Sequence, residues 1–513
     1  MRVKTDNVEQ WLGLPLVVFG FVYSISTHRL DGATGSVVAL LILNCLSCRD
    51  APKRKSPFLC FNFAFFLFLI GRSLVALLLP RIDEVLPRPS FDMEVESLVH
   101  TLVFSSLLII RIAFSMSYID VTALPVGESN TVYRAKVMSI SKKVLYVTIP
   151  LQIAIFVERI VFVLNNSYED YYVYFESAIP LILSRAAGLY EPVLFLYLAT
   201  FPARRSTANQ LLIYIAISSL SLGYGQRGGF ALSIMFAVIY LSLRDVILPN
   251  SRAWLSRGVV LVGAGGVIAL VVFFSAFSLV RSGIDYTDDS VFALITFFFV
   301  SQGGAVFNLG HAIDLQNMFP HDRWYSLGPV IEFLRGNVVS TLLLGFPVFP
   351  KASAELALES HNFSFALAYL VNPTYYSMGG GYGSNFIAEL WVDFGLMGVV
   401  VGSAIFGLVL ARGIPWTLHR GPLFLALAFA GTLQLIYAPR AEFLGFLSPL
   451  LSMPTIAIYL FIHLLSRTAV RNPPSRAHSK ESVAMVDLPA LDHRGAIAPT
   501  TARSRNSVSR GLS

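Results

Sequence analysis

Apolar runs of roughly 20 residues recur along most of this 513-residue chain, and that is the length a helix needs to cross the hydrocarbon core of a bilayer. Inside that core every backbone N–H and C=O must be bonded within the protein, so open sheets and lipid-facing loops are ruled out. Charged residues make up 13% of the chain and mean hydropathy is +0.66, whereas a soluble domain carries roughly 25% charged residues. The expected fold is an all-α polytopic integral membrane protein of about 12 transmembrane helices. The runs place spans at about 11–28, 33–48, 57–79, 98–119, 144–164, 178–200, 208–224, 229–243, 258–280, 385–410, 422–437 and 446–466.

The net charge of +7 reports topology in such a chain and is no sign of nucleic-acid binding. Arg2 and Lys4 precede the first span, and Arg49, Lys53, Arg54 and Lys55 follow the second. Arg134, Lys136, Lys142 and Lys143, then Arg204 and Arg205, then Arg244, Arg252 and Arg257, then Arg412 and Arg420, and finally Arg467, Arg471 and Arg476 fill the connections on the same side. The opposite connections are acidic or mixed, as with Asp83, Glu84, Asp92, Glu94 and Glu96. Basic loops stay in the cytoplasm, so both termini are expected there, and an additional span would invert everything beyond it.

Four regions follow: a membrane bundle of about nine spans at 1–280, a long outer connection at 281–384, C-terminal spans at 385–466, and a basic, disordered cytoplasmic tail at 467–513. Within the long connection, Val291 to Val300 and Val338 to Phe349 are short for spanning and fit re-entrant or interfacial segments. Cys45 and Cys48 form a lone CxxC at the end of an apolar run. With no second pair, they read as small buried side chains.

Candidate chemistry gathers on the outer side. The stretch from Asn372 to Leu410 opens with a loop rich in Gly and Tyr and continues as an apolar run beginning at Phe386. Glu389 and Asp393 are four residues apart, on one face of a helix. Acidic groups there are costly unless they face protein or water, which marks them as functional candidates. The competing reading is a helix start favoured by the dipole. The hairpin GYGQRGGF at 223–230 presents Arg227, the turn YAPRAEFLGF at 437–446 presents Arg440, and Arg281 begins the long connection. Guanidinium groups offer planar, bidentate hydrogen bonds to phosphate oxygens, and the alternative is snorkelling to headgroups.

Three of these stretches together resemble the Wzy-type O-antigen polymerases, also called oligosaccharide repeat-unit polymerases. They are QRGGF at 226–230, GGGYGSNFIAELWVDFGLMG at 379–398 and the Pro-Arg-Ala-Glu turn at 439–442. The resemblance runs from the first span to the twelfth. It implies a GT-C-like membrane fold with a long periplasmic loop, and a glycosyltransferase of the bacterial inner membrane. Such an enzyme joins undecaprenyl-pyrophosphate-linked oligosaccharides at the periplasmic face into O-antigen, capsule or exopolysaccharide. It implies no metal or other cofactor, and it names a polysaccharide co-polymerase and a flippase as partners beside membrane lipid.

On that reading Arg227 and Arg440, with Arg281 as a third, bind the pyrophosphates. Glu389 is the first candidate general base and His361 the second. Tyr382, Tyr376 and Asn385 line the glycan groove together with Tyr375, the competing role of the tyrosines being an interfacial belt. A transporter or flippase shares the polytopic plan, but the candidate charges here lie at one face and no internal repeat is evident. An O-antigen ligase-like enzyme shares the chemistry and differs in acceptor. A structural subunit of an export assembly would lack activity.

Overall fold

The computed structural model describes residues 12–80, 82–85, 88–121, 131–166, 168–248, 253–282, 290–335 and 349–471, with Gly345 and Pro347. Among these the chain is helical throughout and forms no strand. The N-terminal region supplies α1 (Leu14–Ser26), α2 (Leu30–Leu46), α3 (Ser56–Leu78), α4 (Met93–Ser117) and α5 (Thr131–Asn165). After these come α6 (Leu181–Ala199), α7 (Arg204–Ser219), α8 (Gly228–Ile247), α9 (Arg257–Ser282) and α10 (Val291–Asp314). Four short helices follow, α11 (Gly328–Arg335), α12 (Ala354–Glu359), α13 (Phe363–Val371) and α14 (Pro373–Ser377). The chain then returns through α15 (Phe386–Leu418), α16 (Pro422–Tyr437) and α17 (Met453–Arg471).

Among the described residues, eight helices are long and apolar enough to cross a membrane, or nine if the bent pair Phe443–Leu451 and Met453–Thr468 is one span. The expected twelve exceed this count, because α1 and α2 are shorter apolar helices and α7 and α9 are not among the eight. The run from Val291 to Val300 is the first part of a longer helix. The polar and glycine residues Gln302, Gly303 and Gly304 interrupt the apolar run but not the helical path, and Val291–Asp314 is a 24-residue helix. Most of Val338 to Phe349, and the tail beyond Arg471, lie outside the described residues. Of the cysteines, Cys48 is buried and Cys45 is exposed.

A correction concerns α15. Gly395 has φ 59° and ψ −148°, a conformation reserved for glycine, and the helix does not run straight through it. The Phe386 and Phe406 rings touch at 4.7 Å, although twenty residues of straight helix would separate them by roughly 30 Å. A Cβ at Gly398 would sit 2.5 Å from the Leu390 carbonyl oxygen, and one at Gly402 would sit 2.4 Å from Leu390 Cδ1. The arm 386–394 therefore folds back against the arm 396–418. The latter alone is long enough to cross a bilayer.

Small residues let that crossing arm approach α4 closely. A Cβ at Gly407 would lie 2.6 Å from Ile110 O and 2.7 Å from Ala113 Cβ. One turn away, the Ser403 and Ser106 hydroxyls bond at 2.8 Å in the buried interface. Farther along α4, Arg111 donates to Asn44 Oδ1 (2.8 Å), and Asn44 donates to Asn62 Oδ1 (2.7 Å), so buried polar groups joining α2, α3 and α4 are mutually bonded.

The basic connections meet at one end of the bundle. Lys53 pairs with Asp245 at 2.7 Å and Arg54 with Asp120 at 2.5 Å. Arg412 donates to Ser117 O and Arg244 to Pro202 O. These contacts join connections that the charge pattern groups on one side.

Candidate functional site

At the other end of the bundle, the candidate residues gather where the folded-back arm of α15, the middle of α10 and the turn after α16 meet. The loop before α15 carries Gly379 and Gly383 at φ 87° and 81°. It does not stay at the surface. Asn385 is fully buried; its Oδ1 caps α15 by accepting from Ile387 N (2.9 Å), and its Nδ2 donates to Ala305 O. Asn308 Nδ2 donates to Tyr382 O at 3.0 Å. The loop is thus carried down to the level of Phe406, roughly 15 Å below the Gly395 tip of the hairpin.

Glu389, about one turn nearer the tip, has no exposed surface. Its Oε1 accepts from Ser384 Oγ at 2.5 Å and its Oε2 from Phe443 N at 2.7 Å. Both carboxylate oxygens are thus committed to the protein, tying the loop before α15 to the turn after α16. Asp393, one turn on, accepts from Tyr325 N (3.0 Å), Ser326 N (2.7 Å) and Ser326 Oγ (2.6 Å). It fastens the connection after α10 to the hairpin.

Arg440 lies on the same turn. Its guanidinium donates to Gln302 Oε1 at 3.1 Å and stands 5.6 Å from the centre of the Phe68 ring. Phe68 belongs to a π-helical turn, Phe66–Ile70, within α3; such turns recur at functional sites. The Phe68 ring meets Tyr437 edge-on at 5.6 Å. Tyr437 in turn covers the start of α8, where a Cβ on Gly228 would be 3.2 Å from its hydroxyl. Arg227, the residue before Gly228, caps α8 without a side-chain cap bond. The backbone next to Arg227 and the Arg440 guanidinium therefore both border the Tyr437–Phe68 pair. Arg281 falls near the end of α9, and its side chain lies outside the described residues.

His361 is buried (8% exposed), and its Nδ1 accepts from Trp324 N at 3.1 Å. That bond places the ring proton on Nε2. Burial holds its pKa below the usual imidazole value, against the pull of the Glu332 carboxylate. Glu332 Oε1 accepts from His361 N (2.7 Å), and Glu442 Oε1 accepts from Asn362 Nδ2 (3.3 Å). Glu442 is pushed above the usual carboxylate range by burial and then by the neighbouring Glu332.

Of the expected glycan residues, Tyr382 is half-buried and 5.6 Å from the ring of Tyr375, which is 42% exposed. Tyr376 is 4% exposed and packs inward with Ala357 and Ala368. The structure thus brings Glu389, Asn385 and Arg440 to neighbouring elements, sets Gly228, next to Arg227, against Tyr437, and turns Tyr376 into the interior.

Sequence reasoning missed Gln302, Glu332 and Glu442 as site residues. Glu442 stood in the quoted Pro-Arg-Ala-Glu turn, two residues from Arg440. The signal for Gln302 was a polar and glycine break, SQGG at 301–304, inside an otherwise apolar stretch.

No curated protein and no solved structure matches the chain. A family model does, that of the O-antigen polysaccharide polymerase Wzy, and it matches residues 14–472. With nearly the whole chain matched, from α1 to the end of α17, the protein belongs to the O-antigen polysaccharide polymerase Wzy family, polymerases of glycosyltransferase type that work within a membrane.

Proposed function

We propose that the protein polymerises undecaprenyl-pyrophosphate-linked oligosaccharide repeat units at the periplasmic face of a bacterial inner membrane. The growing chain passes from its lipid carrier to the non-reducing end of a new lipid-linked unit. The observation that supports this reading is that Arg440 stands over Phe68 and the backbone at Gly228, next to Arg227, meets Tyr437 of the same ring pair. The leaving group is a lipid pyrophosphate, whose negative charge grows as the anomeric C–O bond breaks. Two preorganised guanidinium groups stabilise that charge without reorganising, and the uncapped N-terminus of α8 adds N–H donors and the positive end of its dipole. Arg281 is a third cation in this proposal.

Tyr382 and Tyr375 offer ring faces to the pyranose units. Asn385 and Tyr376 hold the loop that presents them. Glu389 and His361 stand beside the reacting centre, where their bonds to Ser384, Phe443 and Trp324 set its shape. The twelve-span, GT-C-like arrangement belongs to the same proposal, with α1 to α9 and α15 to α17 as the spans and α10 as a re-entrant element, both termini in the cytoplasm, and a co-polymerase and flippase as partners.

The test is the glycan profile of a strain lacking the protein, complemented with wild type, Arg227→Ala or Arg440→Ala at matched membrane abundance. Single repeat units from both variants and a ladder from wild type are expected. Long chains from both variants would overturn the pyrophosphate assignment. If the uncomplemented strain accumulates long lipid-linked chains that are not passed on, the protein is a ligase. If it traps repeat units on the cytoplasmic side, the protein is a flippase.

A further inference from the structure

We infer that Glu442 is the proton acceptor for the attacking sugar hydroxyl. The inference rests on the polymerase reading and adds the catalytic residue which that reading leaves open. Glycosyl transfer to a hydroxyl needs a base with a free lone pair beside the anomeric carbon. The two groups expected in that role are both closed off. Glu389 has no exposed surface, and its oxygens hold Ser384 Oγ and Phe443 N. His361 uses its Nδ1 lone pair for Trp324 N, which leaves Nε2 as a donor.

Glu442 differs. It is half-buried, so part of it stays exposed. Among the described residues, it makes no ion pair within 4.0 Å. Its one side-chain hydrogen bond places Asn362 Nδ2 on Oε1 at 3.3 Å and leaves Oε2 available. It also follows Arg440 by two residues, an extended span of at most about 7 Å between Cα atoms. One rigid turn, with Ala441 in extended conformation between them, therefore carries the cation for the leaving pyrophosphate and the base for the incoming hydroxyl. A sugar ring held between the two has its anomeric carbon within reach of both.

The step balances. The acceptor hydroxyl oxygen forms a bond to the anomeric carbon, and that carbon's bond to the pyrophosphate oxygen breaks. The electron pair of the broken bond stays on the lipid pyrophosphate, and the hydroxyl proton passes to Glu442. Release of that proton to water resets the site.

The groups facing Glu442 set how it responds to pH. They include Glu332 on α11, Asn362 before α13 and Glu389 on the short arm of α15. Burial and the Glu332 carboxylate hold Glu442 above the ordinary carboxylate range. Only the ionised form accepts a proton, so activity rises as pH rises through that elevated value.

The experiment uses the purified full chain, a synthetic undecaprenyl-pyrophosphate-linked repeat unit as both donor and acceptor, and chain growth followed across pH. Glu442→Gln should lower kcat by about a hundredfold or more, leave KM within about twofold and abolish the acid limb. Glu442→Asp should recover part of the rate. Glu389→Gln should keep the acid limb. A Glu442→Gln protein with wild-type kcat, or with its acid limb intact, would overturn the inference while leaving the polymerase reading standing. If Glu442→Gln does not fold, an unshifted acid limb in Glu442→Asp overturns it equally. A wild-type protein that extends no lipid-linked unit overturns both.

Discussion

Asp393 offers a test of the fold that is independent of any catalytic assignment. Its carboxylate accepts three hydrogen bonds from Tyr325 and Ser326, and these fasten the segment after α10 to the hairpin of α15. In Asp393→Ala all three are lost, and two backbone N–H groups lose a charged acceptor. At about 1 kcal/mol for each bond in this half-buried setting, the loss is about 3 kcal/mol, or roughly a hundredfold in the opening equilibrium of the segment. Asp393→Asn should lose most of this, because its amide nitrogen would face a backbone N–H. Hydrogen exchange in detergent or nanodiscs, read at Tyr325 and Ser326, measures the change directly. Exchange should accelerate about a hundredfold there and stay unchanged in α4. If the two amides exchange in Asp393→Ala at the wild-type rate, Asp393 does not brace this connection and the reasoning fails.

The remaining predictions concern the same hairpin and its neighbours. Gly395→Ala places a side chain at φ 59°, ψ −148° and should cost about 1–3 kcal/mol, seen as a lower melting temperature; an unchanged one would mean that the arms are not folded back there. Glu389→Gln keeps only one of two acceptors and should lose about 1–3 kcal/mol of stability, measured by thermal unfolding of the purified protein. Gly407→Val drives methyl groups into Ile110 O and Ala113 and should cut membrane abundance severely, whereas Ser403→Ala, losing one interhelical hydrogen bond to Ser106, should cost only about 0.6 kcal/mol.

The membrane class was legible because apolar length is a direct physical requirement, and the face shared by the basic connections was legible because charge orders topology. Helix α10 was not: SQGG at 301–304 looks like an end, yet Gln302 accepts from Arg440 and Gly303 lies close against Arg72, so this polar and small stretch faces protein. The fold-back of α15 was equally hidden. In sequence Gly395 is one glycine among many in an apolar run, and only its torsion angles separate a straight span from two arms. At the site, Arg440 and Glu389 stood out as charges in apolar surroundings. Glu442 did not, because its distinction is the state of its oxygens relative to those of Glu389, and that is settled by Ser384 and Phe443, which lie 5 and 54 residues from Glu389 in the chain.

The hairpin at Gly395 also partitions the protein for evolution. The close contacts of α15 with α4, against Ile110, Ala113 and Ser106, lie on the arm after Gly395. The loop from Asn372 to Ser384 is clamped at its ends by Asn372, which caps α14, and by Asn385. If Tyr375 and Tyr382 meet the glycan as proposed, they form an exchangeable cassette between these clamps: substitutions there would alter which sugar surface is offered while the interhelical fit beneath stays intact, so a lineage could change the glycan it builds without renegotiating how the protein sits in its membrane.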